Sequence, residues 1–493
     1  MPIATAGLTG FLPRLGDFAP LTQALAEGKS PLALSGLAAV HRAYVAAGLR
    51  RATGRPLVLV CPDDGEARRL AGDLAALTGE EVPLLPARDL QFHPGAASRQ
   101  WEHQRLEVLA KLHQGACPVL AATVEGLLQR TMPPAVFSAH CRQLSAGQAC
   151  RLEEVTDFLV QAGYTRCDQV EGVGQFALRG GILDVFSPGL DLPVRIEFWG
   201  DEIDSLGLFD PVTQRRTAQR EAVTLLPAGE VLAPAGEALP DPPDLALATV
   251  YDALATPADY LPEDALVCLC DTPRVAERAK HYLWQLGEDV TALLEQGVLP
   301  GKAPVFAESF EALCSRLAQG TLLYLDAFLT GGLPVPPAYL LSLPARQLAG
   351  YGIRFETLAE DLAQYRKEGF AVVVLTPSRR KAEALLSMLQ EGNLHPALDE
   401  HLSALPGPGD LTLAVGGLSA GLDFPDGKFA ILSEGEALPP RKPRARKAKV
   451  RDSSRQRLES FTDLAPGDLV VHEHHGIGRF VGMVKMTVDG VPR

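Results

Sequence analysis

Apolar residues recur along much of the chain as short continuous runs, each followed by a turn and then by apolar positions at helical spacing. The clearest run, Leu57–Cys61, leads through a Pro-Asp-Asp turn to a predicted helix that starts near Glu66 and ends at Gly79. An uninterrupted apolar strand before a helix is typical of a parallel sheet covered by helices on both faces, so the pattern predicts an α/β protein. Equivalent strand and helix pairs are predicted at Ala265–Asp271 with Arg274–Leu286, and at Phe370–Thr376 with Ser378–Leu389.

The stretch 164–216 has a different pattern, in which apolar bursts are separated by Gly, Pro and Asp. Such punctuation is typical of short antiparallel strands joined by tight turns. A Gly-Gly pair directly after Arg179 allows a positive φ, so we expect a hairpin turn there. Arg195 and Glu197 alternate with apolar residues, which predicts one buried and one charged sheet face. We interpret this stretch as a binding surface, because it offers neither a nucleophile nor a metal-binding cluster.

These patterns predict a discontinuous α/β domain with a smaller β-rich (α+β) domain inserted into it. A second small α/β domain follows, and then a basic linker and a C-terminal segment of β-barrel type. A chain of 493 residues with 46% hydrophobic content is long enough for this number of cores. The predicted boundaries are 1–133 with 216–345 for the first domain, 134–215 for the insertion, 346–437, 438–463 and 464–493.

Charge is unevenly distributed along the chain, whose formal net charge is −14. Residues 441–457 contain nine Lys or Arg and one Asp, so the remainder of the chain is strongly acidic. An acidic body argues against broad DNA binding by the folded domains. The basic linker is interpreted as a solvated tether, and contact with DNA or an acidic partner stays open as the alternative.

Cysteine usage and hydropathy indicate a reduced, cytoplasmic protein without a membrane anchor. The eight cysteines are scattered and include no C-x-x-C pair. No apolar run approaches the roughly 20 residues of a membrane span, and the first residues lack the pattern of a signal peptide.

The stretch 164–216 contains R-x-D…F-x-x-R-G-G-x-x-D-V-F-x-P…R-I-E-F-x-G-D-E-I-D-S…F-D-x-x-T-Q-R. This spacing resembles the domain 2 signature shared by the excision-repair subunit UvrB and the bacterial transcription-repair coupling factors (Mfd). The resemblance implies a module that docks the damage sensor UvrA. The matching positions are Arg166, Asp168, Phe176, Arg179, Gly180 and Gly181.

Two of these positions, Arg166 and Arg179, are implied by the family to reach acidic groups on UvrA. Arginine suits such a contact because its planar fork binds carboxylates in a bidentate manner. The alternative is that each arginine pairs inside the domain with Asp168, Glu171 or Asp184. Phe176 is either an apolar anchor of the interface or a core residue.

The first domain resembles the ATP-hydrolysing domain of UvrB, but its nucleotide motifs are degenerate. A phosphate loop needs glycines, a lysine and a hydroxyl between a strand and a helix. The equivalent junction, from Pro31–Ser35 to a predicted helix Ala38–Leu49, offers only Gly36. Lys29 belongs to a Gly-Lys-Ser triplet that follows a predicted helix and not a strand. Where UvrB has its D-E-S-H box, this chain has Cys270, Asp271, Thr272 and Pro273.

We therefore expect no catalytic residue, cofactor or metal in this chain, and expect ATP and Mg²⁺ to act only in the family's motor domains. The span Asp89–Leu109, which in UvrB holds a DNA-clamping hairpin, has room only for a turn and a helix capped by Ser98. Trp101 is interpreted as helix packing, because single-strand binding needs several stacked aromatics.

The segment from Pro466 onwards reads PGDLVVHEHHGIGRFVGMVKMTVDG and predicts β structure with a hairpin turn at Asp489-Gly490. It resembles the opening of the CarD-like domain with which Mfd binds RNA polymerase. Its histidines are interpreted as structural, since no fourth metal ligand lies nearby. The positions that carry this resemblance are Val471, His475, Gly476, Gly478 and Arg479.

The resemblance implies the N-terminal part of a coupling factor, without the helicase motor and with a truncated barrel. Its expected partners are UvrA and, more weakly, RNA polymerase, with duplex DNA contacted mainly through the absent motor. Two alternatives stay open: a UvrB-like ATP-dependent damage-binding subunit and a CarD-like transcription regulator.

Overall fold

The structure is a computed structural model that describes residues 4–93, 98–234, 238–251, 255–299, 305–329, 331–348 and 355–433. It also describes the backbone of four short strands between residues 469 and 492. The chain divides into two compact units, Met1–Arg441 and Lys442–Arg493.

The strands of the first unit are β1 Leu32–Ser35, β2 Leu57–Cys61, β3 Leu84–Leu85, β4 Val119–Thr123, β5 Arg142–Ser145, β6 Thr165–Arg166, β7 Gln175–Arg179, β8 Ile182–Phe186, β9 Val194–Trp199, β10 Glu202–Phe209, β11 Arg216–Arg220, β12 Ala222–Leu225, β13 Leu266–Cys270, β14 Thr321–Leu325, β15 Tyr339–Ser342, β16 Arg346–Leu348, β17 Ala371–Thr376, β18 Ala397–Leu398, β19 Leu411–Val415, β20 Gly421–Phe424 and β21 Phe429–Ser433.

Its α-helices are α1 Phe18–Ala26, α2 Ala39–Thr53, α3 Asp64–Thr78, α4 Gln100–His113, α5 Val124–Leu128, α6 Pro134–Ala139, α7 Leu152–Gln161, α8 Thr272–Glu295, α9 Phe310–Leu317, α10 Phe355–Lys367 and α11 Arg379–Glu391. Three 3-10 helices span Ala4–Arg14, Pro243–Ala246 and Pro257–Tyr260.

Seven parallel strands form the first sheet, in the order β15-β1-β14-β13-β2-β4-β3. Successive residues of β2 contribute to two different cores. Leu57, Leu59 and Cys61 join the core that contains α2 and α3, whereas Val58 and Val60 join the core that contains α4, α8 and α9. Helices thus cover both faces of a parallel sheet, which confirms the α/β class predicted from the continuous apolar strands.

Local signals fix the helix that follows β2. The Asp63 carboxylate accepts a hydrogen bond from the Glu66 N–H at 2.8 Å and so caps α3, and Gly79 ends the helix in the left-handed region at φ +73°. The prediction for α8 was too short, because Val290 and Leu293 continue its apolar face into the core.

The helix predicted within 89–109 is present as α4, but its predicted cap is wrong. Arg99 occupies the N-cap position, and no side chain caps the helix there. The Ser98 hydroxyl only accepts a long 3.4 Å hydrogen bond from the Gln100 N–H. Trp101 is half-buried, with the Arg68 guanidinium 5.7 Å from the centre of its ring.

The inserted module contains a six-stranded sheet in the order β11-β10-β9-β8-β7-β6, antiparallel except for the parallel pair β6–β7. Helix α7 and the two-stranded ribbon β5–β12 pack against its inner face and share its core. Leu144, Val223 and Leu225 of the ribbon are buried there. A boundary at residue 215 would therefore separate β11 and β12 from the sheet and core to which they belong.

The third sheet has the order β16-β20-β21-β17-β19-β18. Strand β20 runs antiparallel to its neighbours β16 and β21, and the remaining pairs are parallel. Its core merges with one core of the first sheet. The ring of Phe11 stacks on that of Phe429 at 4.8 Å, and Tyr44 of α2 lies 5.7 Å from Phe424. The first and third domains are therefore one packed body.

In the second unit, Leu469–His472 pairs with Gly476–Arg479 and Thr487–Val488 with Val491–Pro492, both antiparallel. Across the part of the chain that the structure describes, no helix has the length and apolar character needed to cross a membrane.

Candidate functional site

A buried ion pair anchors the inserted module to the first domain where the chain leaves the module. The Arg105 guanidinium of α4 donates to both oxygens of the Glu230 carboxylate, at 2.7 and 3.3 Å, and both side chains are fully buried. The Glu230 N–H donates to the Glu102 carboxylate at 2.7 Å. Burial alone would raise the pKa of Glu102, but the charges of Arg88 and Arg99 outweigh it and lower this pKa to about 2. The network therefore holds the Glu102 carboxylate ionised.

The module's sheet has two faces of different character. Its inner face packs on α7 and the β5–β12 ribbon through Leu183, Val185, Ile196 and Leu206. On the outer face, Asp184 of β8 lies directly opposite Arg195 of β9. The alternation of apolar and polar positions thus gives one buried and one polar face, as the pattern predicted.

Asp184 forms an ion pair with Arg195 inside the domain. The sequence predicted Arg195 on the charged face of the sheet. The Arg195 guanidinium donates to the two Asp184 oxygens at 2.7 and 2.8 Å and lies 4.5 Å from the centre of the Phe209 ring. The hydrogen bond and charge of buried Asp184 raise the pKa of Arg195. Asp184 is therefore not the internal partner of Arg166 or Arg179.

Arg179 lies exposed at the end of β7, before the turn formed by Gly180 and Gly181. Gly180 has φ +59°, which confirms the positive φ predicted there. The Arg179 guanidinium donates to the main-chain carbonyl of Asp168 at 3.3 Å. The structure thus brings Arg179 and Asp168 together through the backbone, and it shows no carboxylate paired with Arg179 among the described residues.

Arg166 is also exposed, and it has no ion pair within the described parts of the chain. Strand register places it opposite Phe176, whereas Arg179 lies three positions further along β7 and so on the other face. The register therefore does not bring the two arginines onto one face. Phe176 itself is 2% exposed and belongs to the module's core, so of its two predicted roles the structure supports the core role.

In the first domain, Gly36 stands at the junction between β1 and α2, where a phosphate loop would lie. Its N–H donates to the carbonyl of Ala327 at 3.1 Å, and the N–H of Leu37 donates to the carbonyl of Asp326 at 3.0 Å. A Cβ atom at Gly36 would lie 2.6 Å from the Leu343 carbonyl oxygen. The amides that would cradle phosphate are therefore bound to the protein's own backbone.

Arg42, in the first turn of α2, fills the space beside this junction. Its side chain is 4% exposed, and its guanidinium lies 3.2 Å from the Asp271 carboxylate and 3.6 Å from that of Glu66. Asp271 takes the left-handed backbone at φ +67°, and the Thr272 N–H donates to Asp326 at 2.6 Å. Burial raises the pKa of Asp326. The sequence did not single out Arg42, because no motif distinguishes it from an exposed helical arginine.

ATP and Mg²⁺, which the resemblance to UvrB implies for this fold, do not fit these residues. The amides at 36 and 37 are engaged, Asp271 is paired with Arg42, and Cys270 is buried with no oxygen to offer a metal. Among the described residues, no group of three or more His, Cys, Asp or Glu side chains is placed to hold a metal ion.

The C-terminal positions lie in the second unit. Val471 belongs to the strand Leu469–His472, and Gly476, Gly478 and Arg479 to its partner, with Val471 opposite Ile477. His475 lies outside the described residues.

Two family models of known proteins match parts of the chain. A family model described as the UvrB interaction domain matches residues 143–230, which coincides with the module from β5 to Glu230. A second, described as the CarD-like/TRCF RID domain, matches residues 464–493.

Similar proteins align with nearly the whole chain. Transcription-repair-coupling factors from Bacillus subtilis and Myxococcus xanthus are 26% and 30% identical to it, over 98% and 96% of its length. That of Staphylococcus aureus strain MRSA252 is 24% identical over 99%. The chain spans 44%, 44% and 45% of these relatives' lengths, respectively. By these two family models and by this alignment, the chain is similar to the transcription-repair-coupling factors over a part of their length.

Proposed function

We propose that this chain recruits UvrA to RNA polymerase stalled on damaged DNA. The observation that carries the proposal is the match of the UvrB interaction domain to residues 143–230, which the structure folds as a module with its own core. In this proposal the module contacts UvrA, and the CarD-like segment contacts RNA polymerase. Displacement of polymerase by ATP-driven movement on duplex DNA is assigned to the rest of the longer proteins of this family.

The proposed role of the first domain is that of a scaffold without nucleotide chemistry. Support comes from Arg42, whose buried guanidinium pairs with Asp271 and Glu66, and from the engaged amides of Gly36 and Leu37. A UvrB-like ATPase would need these groups free, so the geometry favours the recruiting role. The buried Arg105–Glu230 pair supports a fixed attachment of the module to this scaffold.

The geometry supports Arg179 as a contact to an acidic group of UvrA, because it is exposed and, among the described residues, hydrogen-bonds to the Asp168 carbonyl and pairs with no carboxylate. Arg166, exposed on the edge strand β6, is proposed as a second contact, on the sheet face opposite to that of Arg179. Truncating one partner of a desolvated charge pair costs about 2–5 kcal/mol. We therefore expect Arg179→Ala to weaken UvrA binding at least tenfold, and Arg166→Ala to weaken it less, since its side chain lies on the other face.

Isothermal titration of purified UvrA into the full chain tests this function. Deletion of residues 143–230 should abolish binding, whereas Arg380→Ala, an exposed arginine of α11 outside the module, should not change it. If Arg179→Ala and Arg166→Ala both leave the affinity for UvrA unchanged, the contact lies elsewhere. Binding that survives the deletion would overturn the proposed function.

A further inference from the structure

Two hairpins of the module turn at the same end of its sheet. The β7–β8 turn follows Arg179, the β9–β10 turn follows Trp199, and the Phe198 N–H donates to the Gly181 carbonyl at 2.8 Å. By strand alternation, Trp199 shares the outer face with Glu197, which lies opposite Ile182. The hairpin-end surface is defined here as Arg179, Ile182, Glu197 and Trp199.

Part of the outer face is covered by the module itself. Gln169, in the loop after β6, donates to the carbonyl of Pro211 in the loop after β10 at 3.3 Å. Arg195 covers Phe209, and Phe209 is fully buried although its strand position faces outward. The hairpin end of this face lies outside these contacts and is open to a partner, and the edge strand β11 is exposed as well.

At this open end the apolar side chains are exposed to an unusual degree. Trp199 is 84% exposed, the highest value for a large hydrophobic side chain in the described parts of the chain, and its neighbour Ile182 is 38% exposed. An indole fully in water contributes little to the module's own core. Tryptophan and arginine are the residue types most often found at the energetic centre of a protein interface.

The charges beside Trp199 are not equivalent. The Glu197 carboxylate is already engaged by the Arg216 guanidinium at 3.0 Å and by the Ser205 hydroxyl at 2.9 Å. Arg179 donates only to the carbonyl of Asp168. The hairpin-end surface therefore presents an indole together with a cation that lacks a carboxylate partner among the described residues.

We infer that Trp199 is the apolar anchor of the contact with UvrA, with Ile182 flanking it and Arg179 beside it. This inference rests on the function proposed above and adds the residues that drive it. The matching site on UvrA is an apolar pocket bordered by a carboxylate, because such a site desolvates the indole and pairs with the guanidinium.

The test is titration of UvrA into the full chain carrying Trp199→Ala, Trp199→Phe or Trp284→Ala. Trp284 on α8 is 59% exposed and lies outside the module, so its replacement is the matched control. Trp199→Ala should weaken binding at least tenfold, whereas Trp199→Phe should retain most of the affinity and Trp284→Ala all of it. The melting temperatures of the three variants should match that of the parent chain, since both indoles are exposed.

The outcomes separate this inference from the function on which it rests. If Arg179→Ala weakens binding while Trp199→Ala leaves it unchanged, UvrA binds the module but Trp199 is not its anchor. If the parent chain itself shows no affinity for UvrA, the proposed function fails and this inference fails with it.

Discussion

The arginines of this fold differ in whether a carboxylate of the chain pairs with them. Arg42, Arg105 and Arg195 are ordinary members of helices or strands by sequence, yet each is held by a carboxylate of another element. Arg179 differs from them only in its surroundings, because no described carboxylate lies against it. Sequence alone cannot separate these cases, since the partners become neighbours only after the strands have paired.

Replacing Arg42 tests whether the charged cluster of Arg42, Glu66 and Asp271 stabilises the folded protein. Arg42→Ala removes the buried cation between Glu66 and Asp271, which leaves these carboxylates only the half-exposed Arg69 and Arg274 as partners among the described residues. Breaking a buried ion pair costs up to about 3–5 kcal/mol of stability. Chemical denaturation should show this loss. Lys29→Ala is the control, because Lys29 is 42% exposed and its contacts among the described residues, the Glu27 carboxylate and the Tyr339 ring, are also exposed. It should leave the melting temperature nearly unchanged.

Neither variant should turn over ATP or bind a nucleotide analogue in a fluorescence titration. Saturable binding that is lost on Lys29→Ala would contradict the assignment of the first domain as a scaffold.

At the level of whole elements, much of the fold follows from local pattern. The units β2–α3, β13–α8 and β17–α11 were predicted because a continuous apolar strand, a turn and a helical stripe leave few alternatives. The hairpin after Arg179 was predicted from two glycines. The pairing of Asp184 with Arg195 could not be predicted as firmly, because it depends on the register between β8 and β9.

The end of the inserted module was harder to predict than its interior. Strand β11 is exposed along its whole length, so its residues give no apolar signal, and β12 pairs with β5 nearly 80 positions earlier in the chain. The local pattern of apolar and polar residues carries no information about so distant a strand pairing. The predicted boundary at 215 accordingly falls short of the ribbon that completes the core.

A peptide of residues 142–230 should therefore fold by itself, whereas one of residues 134–215 should not. The longer peptide retains β12, and with it the Tyr164 hydroxyl bond to the Leu226 carbonyl at 2.6 Å. Thermal unfolding followed by circular dichroism should be cooperative for 142–230 and broad or absent for 134–215. Equal cooperativity in the two peptides would show that the ribbon is dispensable.

In the whole molecule, the first and third sheets are joined by a shared core and by one buried carboxylate. Asp73 of α3 accepts hydrogen bonds from the N–H and the hydroxyl of Ser419, at 2.6 and 2.5 Å. Burial raises the pKa of Asp73 to about 6, although these two bonds oppose the shift. The contact between the sheets is therefore sensitive to pH.

The sign of this effect follows from the raised pKa. Protonation of Asp73 stabilises the folded state, so its contribution is complete below about pH 4 and is lost as the pH rises through about 6. Asp73→Asn should remove this dependence. Between pH 4 and 7 the free energy of unfolding of the parent chain should fall relative to the variant by up to roughly 3 kcal/mol. Parallel pH profiles for the two proteins would exclude the effect.

The charged cluster around Arg42 also has a consequence for how the first domain can evolve. Phosphate binding at this junction needs more than one substitution, because replacing Arg42 takes a buried cation from Glu66 and Asp271 but leaves the Gly36 and Leu37 amides bound to backbone carbonyls after β14. A first step that destabilises the protein without creating a site brings no advantage. The cluster therefore acts as an evolutionary ratchet against a nucleotide site in this domain.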